Sequence, residues 1–461
     1  MNLSRFIINK IKQTPLNNLV TDSDNREIVK GAGTTFILKI IGLVFSYGFN
    51  IFFARVYGAE VMGLFALAIT VASIFSLFAQ MGTQTSLVRF VAQYAGQGNY
   101  NAAKKIYKLT LQWVLPLSIF LAIIFYFLSP FIANSIFHKP KLIVPLEITA
   151  FVLPFGVFIG VNTASLRGLK KIKDAFIFST VLPPVLNTIG LMGLTYFVIK
   201  SYLTPIYVNF ITVFIGAIYS LFLWRKRSAK LPTNKNDSDN RIDTKEIIKV
   251  SMPMFIAIAM AQIVNWTDTI MIGIFLDIKY VGIYRVAFKI AIIINFILIT
   301  VNSISVPKYS ELFWDYNKYK LSGLSVFASK IIFWASLPIY LSILIFNTQI
   351  LGIFGEKFIQ GSDVLIILAT GFFLASFTGQ GGYIMNMVGL EKINRNISIF
   401  IALLNIVLNY LLIQKYNIIG AALASAFTYM IWSFSLIIIA RRKLGFWPLY
   451  FPVKLNNVIK N

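Results

Sequence analysis

The sequence has no cysteine, one histidine and only 17 acidic residues in 461. Without cysteine there is no disulfide, no thiolate nucleophile and no cysteine-ligated metal. His138 alone cannot build a histidine-cluster metal site. Charged residues make up 13% of the chain, about half the roughly 25% of an ordinary soluble protein. Phosphate-loop, nucleophile-elbow and zinc-protease motifs are missing, so ATP hydrolysis by this chain is not expected. Gly96-Gln97-Gly98 is a short loop and not a dinucleotide fingerprint. No cluster of acids or histidine is available for acid–base work, so neither an enzyme nor a resident cofactor is expected.

What is present is apolar. Hydrophobic residues reach 57% and the mean hydropathy is +0.75. A soluble fold cannot hide that much apolar surface, and disorder requires the opposite composition. A helix needs about 20 apolar residues to cross the hydrocarbon layer. Twelve such runs predict helices at about 33–53, 61–80, 106–128, 142–162, 175–198, 205–224, 247–276, 280–304, 324–346, 363–388, 396–413 and 417–440. They are continuous, unlike the alternating segments of an outer-membrane barrel. The expected fold is an all-α integral membrane protein. The first 30 residues are polar, and no signal peptide is expected there.

The net charge of +25 has two readings. In a soluble chain it would mark a nucleic-acid surface. In a membrane protein, Lys and Arg collect in cytoplasmic loops. With the N-terminus inside, 32 of the 42 cationic residues fall on the cytoplasmic side, 7 on the outer side and 3 within spans. That asymmetry predicts a plasma-membrane protein with both termini in the cytoplasm and no nucleic-acid partner. The polar stretch 225–249 follows the sixth run and reads as a linker. It divides a cytoplasmic segment 1–32 and an N-lobe 33–224 from a C-lobe 250–440 and a tail 441–461.

The two lobes resemble each other. With Gly63 set on Gly282, Val61-Met62-Gly63-Leu64-Phe65 falls on Tyr280-Val281-Gly282-Ile283-Tyr284 or its neighbours, and Ser86-Leu87-Val88-Arg89 on Ser305-Val306-Pro307-Lys308. Trp113 and Pro116 echo Trp334 and Pro338, and Leu166-Arg167-Gly168-Leu169 echoes Met387-Val388-Gly389-Leu390. The order predicts two parallel six-helix repeats related by an axis along the membrane normal, with a substrate site between them near mid-membrane. Prolines within runs (Pro116, Pro154, Pro183-Pro184, Pro253 and Pro338) each remove a backbone donor and bend a helix.

Charge inside a bilayer costs roughly 2.5–3.5 kcal/mol per group on insertion scales and marks function. Five such groups lie within the runs: Lys39, Glu147, Asp268, Arg285 and Lys289. Asp268 and Lys289 are placed roughly 12 and 14 Å from a span end at 1.5 Å per residue, too deep to snorkel easily. Arg285 and Lys289 share one helix face, four residues apart. Two readings follow. The charges form a salt-bridge network holding the lobes together, with Asp268 and Glu147 as counter-ions. Alternatively, the three cations, in excess over two carboxylates, receive phosphate, with Arg bidentate and Lys as a point charge. Asn265 and Asn295 are placed to contact sugars or an ion, although singly each also suits a helix–helix hydrogen bond.

Several segments resemble polysaccharide-biosynthesis flippases of the Wzx type. They are Ala54-Arg55-Val56-Tyr57-Gly58-Ala59-Glu60 running on to Phe65, Gly82-Thr83-Gln84-Thr85-Ser86-Leu87-Val88-Arg89, Asp268-Thr269-Ile270-Met271-Ile272-Gly273, and Val281-Gly282-Ile283-Tyr284-Arg285-Val286-Ala287-Phe288-Lys289. The resemblance runs from about residue 28 to 440. It implies the V-shaped, two-lobed fold of the multidrug/oligosaccharidyl-lipid/polysaccharide exporter superfamily, working by alternating access. It implies an undecaprenyl-diphosphate-linked oligosaccharide as substrate, bound by Lys39, Arg285, Lys289, Asn265 and Asn295. Asp268 or Glu147 would serve coupling to a proton or sodium ion. Membrane lipids, and a polymerase or glycosyltransferases, are the implied partners. Peptidoglycan-precursor flippases of the superfamily usually have fourteen spans and more arginine in span one, where this chain has Lys39 alone. The alternative is a cation-coupled multidrug exporter of the same fold, which would carry a more acidic cavity.

Overall fold

A computed structural model describes residues 23–197, 200–232 and 244–450. Most of the segment expected at 1–32, the middle of the 225–249 linker and the end of the tail lie outside the described residues. Regular structure among the described residues is helical throughout. The first half of the chain gives α1 (Ser23–Gln80), α2 (Thr83–Gly96), α3 (Tyr100–Phe131), α4 (Ile143–Gly168), α5 (Ile172–Phe176), α6 (Leu182–Phe197) and α7 (Thr204–Ser228). The second half gives α8 (Thr244–Phe275), α9 (Ile278–Ala291), α10 (Ile293–Trp314), α11 (Lys318–Gly352), α12 (Ser362–Thr378), α13 (Gln380–Met387) and α14 (Glu391–Leu444).

Ten helical stretches among these residues are long and apolar enough to cross a membrane. The sequence predicts twelve runs, and the difference has a local cause. α1 has 58 residues, about 87 Å if straight, far beyond a hydrocarbon layer of about 30 Å. It reverses at Gly58, whose φ of 77° and ψ of −179° are not helical. Phe53 and Phe65 lie twelve residues apart, yet their ring centroids are 5.3 Å apart, so the two arms form a hairpin. α14 does the same at Asn417 (φ 52°, ψ −134°). There Asn405 Nδ2 reaches Thr428 Oγ1 at 3.4 Å across 23 residues. Each of these two helices therefore holds two of the predicted runs. Glycine and asparagine are the residues that tolerate positive φ most readily.

Between α5 and α6 the chain forms a π turn over Ile177–Val181. Pro183 and Pro184 follow it and supply no backbone donors, which favours a local change of hydrogen-bond register. α7 runs on to Ser228 and α8 begins at Thr244, both inside the stretch expected as linker. α7 carries Arg225, Lys226 and Arg227 in its last turn, where cations meet the negative end of the helix dipole. Arg227 also pairs in a bidentate way with Asp174, Nε to Oδ2 at 2.6 Å and Nη2 to Oδ1 at 3.1 Å.

Contacts divide the chain into two compact units, each drawn from three segments. Unit 1 comprises Met1–Phe49, Phe75–Tyr126 and Ile148–Met254. Its polar centre is a relay through three helices. Tyr107 on α3 donates to Asn162 Oδ1 on α4 at 2.8 Å, and Asn162 Nδ2 donates to Ser220 on α7 at 2.8 Å. Such bonds replace the water that hydrocarbon cannot offer.

Unit 2 comprises Asn50–Ile74, Phe127–Glu147 and Phe255–Asn461. Here the second arm of α1 crosses α9 at two glycines. A Cβ on Gly63 would stand 2.1 Å from the carbonyl oxygen of Ile278, and one on Gly282 would stand 2.1 Å from that of Ala59. Setting Gly63 on Gly282 also sets Ala59 on Ile278, so the contact is reciprocal and carries the local two-fold relation of the repeats. It is a small-xxx-small crossing, in which missing side chains let backbones meet. Lys139, in the turn before α4, seals the end of α8 by donating to the carbonyls of Gly273 (2.6 Å) and Leu276 (2.8 Å). Burial pushes the Lys139 ammonium down from its usual range, and Asp277 opposes that shift. Arg55 Nε caps the end of α11 through the carbonyl of Ile353 at 2.6 Å.

The glycine crossing makes a direct prediction. Gly63→Ala and Gly282→Ala each force backbone against backbone and are expected to cost about 1–3 kcal/mol, the usual range for overpacking. Gly48→Ala, with no atom within 4 Å of the added carbon, is expected to be neutral. Thermal unfolding of the three purified variants checks this; equal stability of all three would dismiss the crossing as a packing constraint.

Candidate functional site

The centre of unit 2 is Asp268, only 1% exposed. A carboxylate cannot remain ionised in an apolar interior unless its oxygens are satisfied. Three side chains do this. Tyr284 Oη on α9 and Ser425 Oγ donate to Oδ2, the latter at 2.6 Å, and Asn409 Nδ2 donates to Oδ1 at 2.9 Å. Asn409 and Ser425 lie on the two arms of α14, on either side of its reversal at Asn417. One acid thus ties α8, α9 and both arms of α14 together.

The same neighbourhood holds oxygens without partners. Asn409 Oδ1, Asn405 Oδ1 and Thr269 Oγ1 are buried and unpaired among the described residues. Asn409 Nδ2 is spent on Asp268 and on the carbonyl of Asn405 (3.0 Å), which leaves its Oδ1 as an acceptor only. A carboxylate beside the unpaired amide oxygen of Asn409 is an oxygen donor set of the kind hard cations prefer.

Arg285 follows Tyr284 directly on α9, and Lys289 lies one turn further on. Both are partly buried. The Arg285 guanidinium carbon stands 5.8 Å from the Phe288 ring centroid. Phe288 meets Phe372 at 5.4 Å and Phe372 meets Tyr429 at 5.0 Å, both edge to face. At the ~6 Å spacing of an (i, i+4) pair, two cations repel by about 3 kcal/mol at an effective dielectric of 20. An anion seated against both relieves that repulsion.

The structure revises the expected counter-ion. Asp268 does not form an ion pair with Arg285 or Lys289. Ion pairs among the described residues include Lys141–Glu60 (3.0 Å), Arg227–Asp174 (2.6 Å) and Lys279–Asp277 (4.0 Å). Neutral donors already occupy the Asp268 oxygens, so the acid acts on Arg285 only through space. Glu147, one turn into α4, is half-buried in unit 2, and no hydrogen bond or ion pair joins it to the cluster. Asp268 and Glu147 therefore do not serve as the salt-bridge counter-ions expected of them.

The other expected residues are placed as follows. Asn265 is largely committed internally. It donates to the carbonyl of Ala261 (3.1 Å) and to Gln262 Oε1 (3.3 Å), and it accepts from Tyr429 Oη at 3.0 Å. Asn295 on α10 keeps a buried, unpaired Oδ1. Lys39 belongs to unit 1, where its Nζ stands 5.6 Å from the Phe176 ring centroid. Asn405, Asn409 and Ser425 went unnoticed in the sequence. Their signal is the Asn-x-x-x-Asn spacing inside an apolar run, the neutral counterpart of the Arg285/Lys289 pattern.

Sequence and structure comparisons agree with this architecture. Residues 28–313 match a family described as polysaccharide biosynthesis protein. A probable low-salt glycan biosynthesis flippase, Agl15 of Haloferax volcanii, is 25% identical over 417 residues, covering 88% of this chain and 82% of its own. Among solved structures, an inward-facing multidrug resistance MATE transporter of the MOP superfamily superposes with a TM-score of 0.72 at 15% identity, covering 90% of this chain and 98% of its own. The lipid II flippase MurJ superposes at 0.71 with 17% identity, covering 90% and 87%. The match to the family model covers well over half of the sequence, and the chain belongs to the polysaccharide biosynthesis protein family.

Proposed function

We propose that this protein is a flippase that carries a lipid-linked oligosaccharide, joined through a diphosphate to an undecaprenyl-type chain, across the plasma membrane for cell-surface glycan assembly. The observation that carries the reading is the pair Arg285 and Lys289, one turn apart within a membrane-spanning segment, with the nearest acid already saturated by neutral donors. Arg285 takes phosphate oxygens in a bidentate way, and Lys289 adds charge. Asn295 offers its unpaired amide oxygen to a sugar hydroxyl. Lys39 makes first contact with the headgroup. The family and the glycan-flippase relative support this reading, and the basic character of the embedded charge disfavours a site for cationic drugs. Both termini lie in the cytoplasm, and glycosyltransferases or a polymerase work on the same glycan.

The oxygen set around Asp268 supplies coupling. A sodium ion held by Asp268, Asn405 and Asn409 lets an ion gradient bias the cycle, since one charge crossing the membrane gains about 2.3 kcal/mol per 100 mV. No nucleotide is needed. A proton on Asp268 is the competing form of the same coupling.

Two measurements test these assignments. Replacing Arg285 and Lys289 together by Ala is expected to abolish surface glycan in cells while the protein still inserts; normal surface glycan would remove the pair from the transport site. Purified protein is expected to unfold at higher temperature in sodium chloride than in potassium chloride. The gain is about 2.7 kcal/mol at a hundredfold excess over the dissociation constant, and it is absent in Asp268→Asn. A wild-type protein indifferent to sodium but dependent on pH for transport would assign the coupling to the proton.

A further inference from the structure

The end of α8 holds a cation that the transport reading does not use. The last carbonyls of an α-helix have no partner within the helix and carry its negative end. At α8 two of them, those of Gly273 and Leu276, accept from Lys139 Nζ at 2.6 and 2.8 Å. A third carbonyl, that of Phe137, lies 3.3 Å from the same ammonium. Asp277 follows Leu276 and acts on the ammonium through its charge. Three neutral carbonyl oxygens converging on one positive centre form a donor set that replaces the hydration shell of a monovalent cation.

Both walls of this cage are held by contacts that do not involve the ammonium. Leu67 and Phe137 are buried and close on Gly273, where a Cβ would stand 2.5 Å from the first and 3.1 Å from the second. The missing side chain thus brings the turn up to the helix. The turn has its own restraints. His138 takes a φ of 54°, and Lys139 N donates to the carbonyl of Ala133 at 2.7 Å. Pro140 keeps Lys139 extended, with φ −136° and ψ 86°. Every one of these residues belongs to unit 2. The cage is separate from the oxygens around Asp268. Gly273 lies five residues further on, about 7.5 Å along α8 and about 140° around it.

We propose that the C-terminal end of α8 is a monovalent-cation site, fitted to ions of potassium or ammonium size, which Lys139 fills as a tethered cation and a free ion takes when the lysine leaves. Ammonium and potassium are close in size, and carbonyl oxygens accept either. A divalent ion is a poorer match, because none of the three donors is a carboxylate. The proposal rests neither on the glycan substrate nor on sodium coupling at Asp268.

The test melts two purified full-length variants in choline, sodium, potassium and ammonium chloride at equal concentration. Asp268→Asn removes the ion response proposed for the acid and leaves Lys139 in the cage, so it is expected to melt alike in all four salts. Asp268→Asn/Lys139→Ala is expected to melt several degrees higher in potassium or ammonium chloride than in choline chloride, with a smaller rise in sodium chloride. A folded double variant indifferent to every cation overturns the proposal, and so does an equal response from Asp268→Asn alone. Should the double variant fold in no salt, the wild type decides. Acetylation of Lys139, read by mass spectrometry with Lys141 as reference, is expected to run severalfold faster in potassium chloride than in choline chloride, because potassium takes the cage whenever the lysine leaves it. Equal rates overturn the proposal. If wild type ignores sodium while the double variant responds to potassium, sodium coupling at Asp268 fails and the cage stands.

Discussion

The constraint on which unit 2 depends is the burial of one carboxylate. Asp268 forms no ion pair with a cationic side chain, and its oxygens are satisfied by Tyr284, Asn409 and Ser425. Each donor comes from a different helical arm, and removal of any one leaves an acceptor unsatisfied at about 1–3 kcal/mol. The acid thereby fixes the register of α9 and of the α14 hairpin against α8. Those elements in turn set where Arg285 and Lys289 stand. A hydrophobic residue at 268 would cost less to bury, so stability alone does not explain the acid.

The reciprocal crossing at Gly63 and Gly282 solves a different problem. Lipid offers helices no hydrophobic reason to associate, so contact must come from close packing and from polar groups. Two glycines at equivalent repeat positions bring backbone to backbone over a short length. Lys139 and Arg55 add donors to helix-terminal carbonyls nearby. These contacts join segments of the first half of the chain to the second half, and they use exposed ends and missing side chains instead of buried ion pairs.

Much of this was legible in the sequence because the bilayer imposes one dominant rule. Apolar length reports each crossing, so the twelve runs and the equivalence of Gly63 with Gly282 could be read directly. Hairpin reversals were less visible: Gly58 and Asn417 carry positive φ, a property of backbone geometry that hydropathy does not encode. The cation pair on α9 was legible because charge within an apolar run is rare. Its presumed partnership with Asp268 was not, because opposite charges on neighbouring spans suggest an ion pair unless the neutral donors are known. Asn409 and Ser425 lie 141 and 157 residues from Asp268, and no local pattern links them. Lys139 looked like one more loop cation, whereas folding places it on the end of α8.

Tyr284 and Arg285 are consecutive residues, and this adjacency joins the two halves of the proposed chemistry. The Tyr284 hydroxyl is held by Asp268, and the Arg285 side chain leaves the next position of the same helix. A cation entering beside Asp268 changes the charge that both residues feel, and an anion arriving at Arg285 does the same from the other side. If the site couples the two ligands as proposed, the coupling is reciprocal: whatever factor the ion applies to the affinity for phosphate, phosphate must apply to the affinity for the ion. A direct Asp268–Arg285 ion pair would have worked against this, since each group would have satisfied the other and left neither ligand a reason to bind. On the proposed reading, keeping the acid on neutral donors leaves the Arg285 guanidinium to the anion, and a cation reaches Asp268 by taking the place of one of those donors.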